Sequence, residues 1–186
     1  MKLEMRAVKN IAAAAMTLAV VFGFASLKPV TASAAQAEAP VSASIEEENS
    51  YISYQDEIYQ KDFLRLVNKE RAKAGLNPVR LGDSSHNGAA QERAEELAAS
   101  YSYVRPNGQR DFTVFAENGI DDVSVGENYM AGVSTPDAAM DQWMNLDFAR
   151  ERILNADATT MSVGHYEGGA YNNYWVLIFS YPENSY

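Results

Sequence analysis

Acid–base or metal chemistry that needs an imidazole must use one of two residues in this chain of 186, His86 or His165. The sequence contains no cysteine, so thiol nucleophiles, disulfide bonds and cysteine-bound zinc or iron–sulfur centres are excluded. His86 stands at the predicted start of a helix, where we expect an exposed or capping residue. His165 shares one face of a predicted strand with Met161 and Val163, and this favours a strand histidine without a ligand role.

Glu127 is the acidic residue with the strongest claim to a functional role. It occupies the same face of the predicted strand 123–128 as Val123 and Val125, so its side chain faces inward or into a cleft. A buried carboxylate needs partners, which Arg105 or Arg150 could supply. We favour a structural ion pair over a cleft acid or general base, because no second catalytic partner is identifiable. Asn128 has the same ambiguity, and we expect it to bond to the backbone.

Three helices are predicted from apolar residues at helical spacing: residues 56–74, about 83–100, and a third from Pro136 towards Leu154. Asp56 is the predicted N-cap of the first, and Thr135 of the third. The second is predicted to bury Ala90, Ala94, Leu97, Ala98 and Tyr101, and to point Glu92, Glu95 and Glu96 largely to water.

Three strands are predicted from the remaining apolar segments. Residues 123–128 and 161–166 alternate between apolar and polar side chains, whereas residues 174–181 form a nearly continuous apolar run, as expected of a strand buried on both faces. Helices and strands joined by short links predict an α+β fold with a mainly antiparallel sheet. Trp143 and Trp175 are predicted core residues.

Residues 1–35 have the features of a secretory signal peptide: three basic residues near the start, an apolar run and an Ala-x-Ala site. An uncleaved anchor is the alternative. We favour cleavage near Ala34, which predicts a secreted, extracellular or envelope-associated protein without stable membrane insertion. Residues 36–55 are rich in Ala, Ser and Glu and are predicted to be a flexible acidic linker, which leaves residues 56–186 as one folded domain.

The chain is acidic, with 15 basic against 25 acidic residues and a net charge of −10. Removal of the signal peptide lowers these numbers to 11 and 24, a net charge of −13. Nucleic-acid binding depends mainly on Lys and Arg that neutralise phosphates, so we expect no nucleic-acid partner. The lack of cysteine in an exported protein favours a bacterial origin.

Several short motifs follow one another between about residues 60 and 181. In chain order they are Asn68-Lys69-Glu70-Arg71, Arg105-Pro106-Asn107-Gly108, Gly126-Glu127-Asn128, Trp143-Met144-Asn145 with Arg150-Glu151, and Tyr174-Trp175-Val176. This ordered set resembles the CAP superfamily, or SCP domain, which cysteine-rich secretory proteins, antigen 5 and plant pathogenesis-related proteins share. The lack of cysteine is similar to its bacterial branch. The resemblance implies an α-β-α sandwich, with helices on both faces of a short, mainly antiparallel sheet.

Many members of this family have a cleft with two histidines and one or two acidic residues that can hold a divalent metal. The resemblance places Tyr103 and Ala149 where the two histidines stand, and only Glu127 of the set remains. A phenol with a pKa of about 10 is a poor zinc ligand near neutral pH. We therefore expect no metal and no other cofactor, and the remaining candidates for a ligand-binding cleft are Tyr103, Arg105, Glu127, Asn128, Ala149 and Arg150.

The tyrosines bear on the ligand, since six of the eleven flank these motifs: Tyr101, Tyr103, Tyr129, Tyr166, Tyr171 and Tyr174. A tyrosine-lined cleft suits sugars, peptides or lipids, and ordinary sheet packing is an equal alternative. We expect a secreted, non-catalytic binding module with a degenerate metal site and an envelope lipid, glycan or peptide as its partner. The alternatives are a metal-independent hydrolase of peptides or cell-wall glycans that uses Glu127, and a purely structural surface component.

Overall fold

The computed structural model describes residues 41–183, so the predicted signal peptide 1–35 lies outside the described residues. Within the described part the helices are α1 (Val41–Lys73), α2 (Ser84–Ala99), α3 (Thr113–Glu117), α4 (Pro136–Asn145) and α5 (Asp147–Ile153). The strands are β1 (Arg80–Leu81), β2 (Val123–Ala131), β3 (Thr160–Gly168) and β4 (Asn172–Tyr181).

The four strands form one sheet in the order β1-β3-β4-β2, antiparallel except for the short pairing of β1 with β3. Alternate residues of the central strand β4 point to opposite faces. Trp175, Leu177 and Phe179 pack in a core with residues of α1, α4 and α5. Tyr174, Val176 and Ile178 pack in a second core with residues of α2 and α3. The predicted α-β-α sandwich and the burial of β4 on both faces are therefore confirmed.

Two of the predicted helix starts are confirmed and one is wrong. Asp83 caps α2, and the Thr135 hydroxyl accepts a hydrogen bond from the backbone N–H of Ala138 at the start of α4. The first helix begins at Val41, so Asp56 lies inside α1 and residues 41–55 of the predicted linker are helical. No glycine or proline follows Pro40 until Gly75, so nothing in that stretch interrupts a helix. The division into linker and domain stays a prediction.

The third predicted helix is divided in two at Leu146. This residue has extended backbone angles and stands between α4 and α5. Both predicted core tryptophans are confirmed, since Trp143 and Trp175 are fully buried. The indole N–H of Trp175 donates to the Val133 carbonyl at 2.8 Å, which satisfies the one polar atom of this side chain.

Arg71 joins the end of α1 to the loop after α5. It is fully buried, and its guanidinium donates hydrogen bonds of 2.8–3.1 Å to the backbone carbonyls of Asn77, Ile153, Asn155 and Ala158. Burial lowers the pKa of this guanidinium, although arginine stays protonated at any ordinary pH. Asn68, one turn earlier, pairs with both the N–H and the carbonyl of Val79 at 2.9 Å. The Asn68–Arg71 motif therefore holds loops in place.

Helix α2 covers the edge of β3 that β1 leaves open. Beyond Met161, where β1 ends, the backbone N–H of Val163 donates to the Asn87 side chain at 3.1 Å and that of His165 donates to the Gln91 side chain at 3.0 Å. Side chains that satisfy an open edge prevent its pairing with another chain. This contact needs glycine at Gly164, because a Cβ atom there would lie 2.1 Å from the carbonyl oxygen of Ala90.

Replacement of Gly164 by Ala is expected to destabilise the fold by about 1–3 kcal/mol, since the added methyl group meets backbone that cannot yield without moving α2. Gly88→Ala is the matched control. Its Cβ would meet nothing within 4 Å on the exposed side of α2, and we expect a gain of about 0.5–1 kcal/mol from helix propensity. Urea unfolding of both variants measures the difference, and equal stabilities would contradict the close contact.

Candidate functional site

Glu127 of β2 forms a buried ion pair with Arg93 of α2. Arg93 Nε lies 2.8 Å from one carboxylate oxygen of Glu127, and Nη2 lies 3.0 Å from the other. The side chain of Glu127 is 2% exposed and that of Arg93 is 0% exposed. The prediction that Glu127 makes a structural ion pair is supported by this geometry, but the expected partners, Arg105 and Arg150, are both wrong.

The ion pair is part of a larger network between α2 and the turn after it. Arg93 also pairs with Glu96, which accepts hydrogen bonds of 2.9–3.1 Å from Arg105. Arg105 further pairs with Glu92 at 2.8 Å and with Glu117 of α3 at 2.9 Å. Glu96 is thus a bridge between two buried guanidinium groups, and the prediction that it points largely to water is wrong.

The environment of Glu127 does not suit a catalytic base. Burial raises the pKa of its carboxyl, and the hydrogen bonds from Arg93 act in the opposite direction. Both oxygens already accept from one guanidinium in the bidentate arrangement, and a general base must be within hydrogen-bond reach of the substrate proton. Glu127 therefore holds α2 against β2 and has no carboxylate oxygen directed at solvent.

Arg152 of α5 lies across the other side of this strand. Its Nη1 donates to the Glu127 carbonyl at 2.8 Å and to the Asn128 side-chain oxygen and the Tyr103 hydroxyl, both at 3.3 Å. The guanidinium carbon lies 5.8 Å from the ring centre of Tyr103. Gly126 makes room for it: the φ angle is 148°, and a Cβ atom would lie 2.6 Å from Arg152 Nε.

The remaining candidate residues are divided between the interior and the surface. Asn128 is fully buried, and its amide donates to the Ala149 carbonyl at 2.9 Å, which confirms the predicted backbone bond. Ala149 is itself fully buried. Arg150 turns back on its own segment, where it donates to the Met144 carbonyl at 3.0 Å and pairs with Asp147 at 2.6 Å. Arg152 thus contacts Tyr103, Asn128 and the backbone carbonyl of Glu127. Ala149 is joined to this group through Asn128, and Arg150 lies outside it.

The sequence model of the CAP family, the Cysteine-rich secretory protein family, matches residues 64–179, which is more than half of the chain. The chain belongs to the CAP family. The uncharacterized protein YkwD of Bacillus subtilis (strain 168) is 30% identical to this CAP domain over 114 residues. That match covers 60% of this chain and 44% of YkwD, so the chain spans less than half the length of this relative.

Solved structures share the CAP fold. An extracellular protein with a SCP domain from Bacillus anthracis has a TM-score of 0.58 at 20% identity, over 67% of this chain and 41% of that protein. An outer surface protein of Borrelia burgdorferi has a TM-score of 0.59 at 16% identity, over 66% of this chain and 92% of that protein. Identities this low establish the fold and nothing about the ligand.

The resemblance assigns the family's metal position to Tyr103, Glu127 and Ala149, and these residues of the CAP domain do not fit a divalent cation. Tyr103 offers a phenol and Ala149 offers no donor atom. Both carboxylate oxygens of Glu127 are bound to Arg93. The positive guanidinium of Arg152 lies 3.3 Å from the Tyr103 hydroxyl. Among the residues that the structure describes, no group of three or more His, Asp or Glu side chains could hold a metal ion.

Four tyrosines in ring contact form a strip beside this position, and we call Tyr171, Tyr101, Tyr129 and Tyr103 the tyrosine strip. Consecutive ring centres lie 5.8, 4.9 and 4.6 Å apart. Tyr171 is 56% exposed and Tyr101 is 47% exposed, so the predicted burial of Tyr101 on α2 is wrong. Burial raises the pKa of Tyr129 to about 12, which keeps its hydroxyl protonated.

The tyrosines of this CAP domain are divided between the core and the surface. Tyr174 is buried in the core of the sheet, as ordinary packing requires. The strip lies at the surface and continues beyond Tyr103 to Arg152, whose guanidinium carbon lies 5.5 Å from the ring of Phe148. Phe148 is 51% exposed.

Two arginines that organise the site were missed in the sequence. Arg93 lies between Ala90, Ala94 and Leu97 on the buried side of α2, and a charged residue on an apolar helix face is a signal of a buried ion pair. Arg152 has no comparable signal, because it shares the last turn of α5 with Arg150 and only the fold decides which of the two points inward.

A double-mutant cycle on Arg93 and Glu127 tests the buried pair. Arg93→Met leaves an uncompensated buried carboxylate and is expected to cost about 3–5 kcal/mol at pH 7. Burial raises the pKa of Glu127, so its carboxyl binds a proton more readily in the folded than in the unfolded state, and the stability gained from that proton at low pH is lost as the pH rises. The cost of Arg93→Met should therefore shrink as the pH falls towards the ordinary carboxyl pKa.

The matched variants for this cycle are Glu127→Gln alone and the double variant. The double variant should be more stable than the sum of the single effects predicts, by about 0.5–3 kcal/mol in urea unfolding. Additive effects, or a cost of Arg93→Met that does not change with pH, would contradict a coupled buried pair.

Zinc titration by calorimetry tests the family's metal position. We expect no stoichiometric zinc binding by the folded protein at neutral pH, because Tyr103 and Ala149 supply no imidazole and Arg152 places a positive charge there. Tyr54→Ala, on α1, serves as a control for non-specific effects. Tight binding of one zinc ion that Glu127→Gln abolishes would show that this reasoning is wrong.

Proposed function

We propose that this CAP domain is an exported, non-catalytic module that binds a ligand of the bacterial envelope. The observation that supports this most is the bidentate hold of Arg93 on Glu127, which takes up the one carboxylate with a motif-based claim to catalysis. A glycoside hydrolase would also need a second positioned carboxylate. The alternative of a hydrolase that uses Glu127 has no observation in its favour.

The tyrosine strip is the binding surface in this proposal. Each ring offers an apolar face and a hydroxyl, and the guanidinium of Arg152 beside Tyr103 adds hydrogen-bond donors. A polysaccharide, whose units alternate apolar ring faces with hydroxyl groups, matches this alternation better than a lipid tail or an extended peptide does. Exposed aromatic anchors also provide much of the binding energy at recognition surfaces.

The location in the proposal rests on the N-terminal sequence, since residues 1–35 have the composition of a secretory signal peptide. The similar structures include an extracellular protein and an outer surface protein, which is consistent with export. Among the described residues, no helix is long and apolar enough to cross a membrane.

Co-sedimentation with purified bacterial cell walls tests the proposal. The intact protein should co-sediment, and Tyr101→Ala with Tyr171→Ala should weaken binding by about tenfold or more, because each exposed ring supplies stacking area. Tyr54→Ala is the matched control, since Tyr54 is 61% exposed but belongs to α1.

Binding that survives loss of both strip tyrosines would contradict the proposed surface. Binding to lipid vesicles and not to cell walls would replace the polysaccharide with a lipid. No binding to cell walls, lipids or peptides would favour a purely structural surface component.

A further inference from the structure

A second cleft, of about 770 Å³, opens at the edge of β3, which is the opposite edge of the sheet from β2 and its Glu127. Its walls come from α1, α2, β3 and the first residue of β4, and they include Asp56, Tyr59, Glu95, His165, Tyr166 and Glu167. A cavity of this size is within the range of small-ligand sites in proteins. None of the residues of the tyrosine strip lines this cleft.

Aromatic rings form one side of this cleft. The imidazole of His165 is stacked on the buried ring of Trp175, with 3.9 Å between ring centres. Tyr59 meets both rings edge-on, at 4.8 Å from His165 and 4.9 Å from Trp175. Burial lowers the pKa of His165, so its ring is neutral near pH 7 and adds no positive charge to the cleft.

Carboxylates supply all the formal charge of the cleft lining. Asp56, Glu95 and Glu167 come from three different elements, and no lysine or arginine is among the described residues that line the cleft. Glu95 accepts a hydrogen bond of 3.2 Å from Gln91, which is neutral. Excess negative charge in a concave site raises the local concentration of cations.

Asp56 is the residue that points most directly to a ligand. Its carboxyl is half-buried, burial raises its pKa, and no hydrogen bond or ion pair joins it to any other residue that the structure describes. Desolvation without a partner costs free energy. Neighbouring Glu57 is exposed and pairs with Lys61 at 3.2 Å, so the two adjacent carboxylates of α1 differ in this respect.

We propose that this cleft binds an organic cation, namely an alkylammonium group of the kind that a lysine side chain carries. The ammonium group would pair with Asp56 and be attracted to Glu167 and Glu95, and the apolar stem would lie against Tyr59 and His165. The stems of such cations lie along apolar surface while the charged end stays with polar partners.

A bare metal ion does not satisfy the same observations. Among the described residues no three His, Asp or Glu side chains come close enough together to hold one. The aromatic side of the cleft would also have no role with a hydrated ion, whereas an alkyl stem needs apolar contact. The combination of spread carboxylates and stacked rings fits a cation that carries a hydrocarbon portion.

Titration of the full chain with Nα-acetyl-lysine methylamide, followed by amide chemical shifts in NMR spectra, tests this inference. The amides of residues 165–168 should shift on saturation. Asp56→Asn should weaken binding by about tenfold, which corresponds to the loss of one charge-assisted pair. Glu57→Gln, one residue away on the solvent side of α1, is the matched control and should leave the affinity unchanged.

The neutral analogue, Nα,Nε-diacetyl-lysine methylamide, distinguishes charge-dependent binding from non-specific binding and should cause no saturable shifts. Equal binding of the two compounds, or equal affinity of Asp56→Asn and Glu57→Gln, would overturn the inference. Tyr101→Ala should not affect the lysine compound, so failure of the tyrosine strip as a binding surface and failure of this cleft are distinguishable.

Discussion

The buried ion pair between Arg93 and Glu127 is the interaction on which the rest of the arrangement depends. Removing two charges from water is expensive, and the cost is offset only by good geometry and complete hydrogen bonding. Here the pairing is bidentate, and Glu96 and Arg105 extend it, so that α2, β2 and the turn after α2 are fixed together. The same geometry uses up the carboxylate that acid–base chemistry would need. While both of its oxygens are bound to Arg93, the carboxylate of Glu127 stabilises the contact of α2 with β2 and has no oxygen free to accept a proton from a substrate.

Guanidinium groups also join distant segments of the chain, as disulfide bonds do in many small domains. The chain has no cysteine, yet its loops are held at long sequence separation. Arg71 gathers four backbone carbonyls from the loops after α1 and α5, and Arg152 crosses from α5 to β2. Because arginine presents several donors in a rigid fork, one side chain can fix more than one segment.

Local patterns in the sequence predict most elements of the fold. The caps at Asp83 and Thr135 and the apolar run of β4 all follow from local chemistry, and each is present in the structure. What could not be predicted depends on long-range contact. The two-residue strand β1 exists only because β3 lies beside it, and the partner of Glu127 stands 34 positions away, on the apolar face of α2. The apolar helix face around Arg93 indicates a buried ion pair, but only the fold identifies Glu127 as its partner, since Arg105, which is also buried, pairs with Glu96.

Several residues together make the family's metal position a poor fit for a divalent cation. If imidazoles replaced Tyr103 and Ala149, the guanidinium of Arg152 would still lie there as a fixed positive charge, and Glu127 would still be bound to Arg93. Ala149 is also fully buried, so a larger side chain would have to displace Asn128 or α5. Internal guanidinium groups thus bind Glu127 and Tyr103 beside β2, while no lysine or arginine is among the described residues that line the acidic, aromatic cleft at the β3 edge. An external cation is attracted by carboxylates that internal arginines have not neutralised. Carboxylates of this kind line the cleft at the β3 edge, so we expect cation binding there.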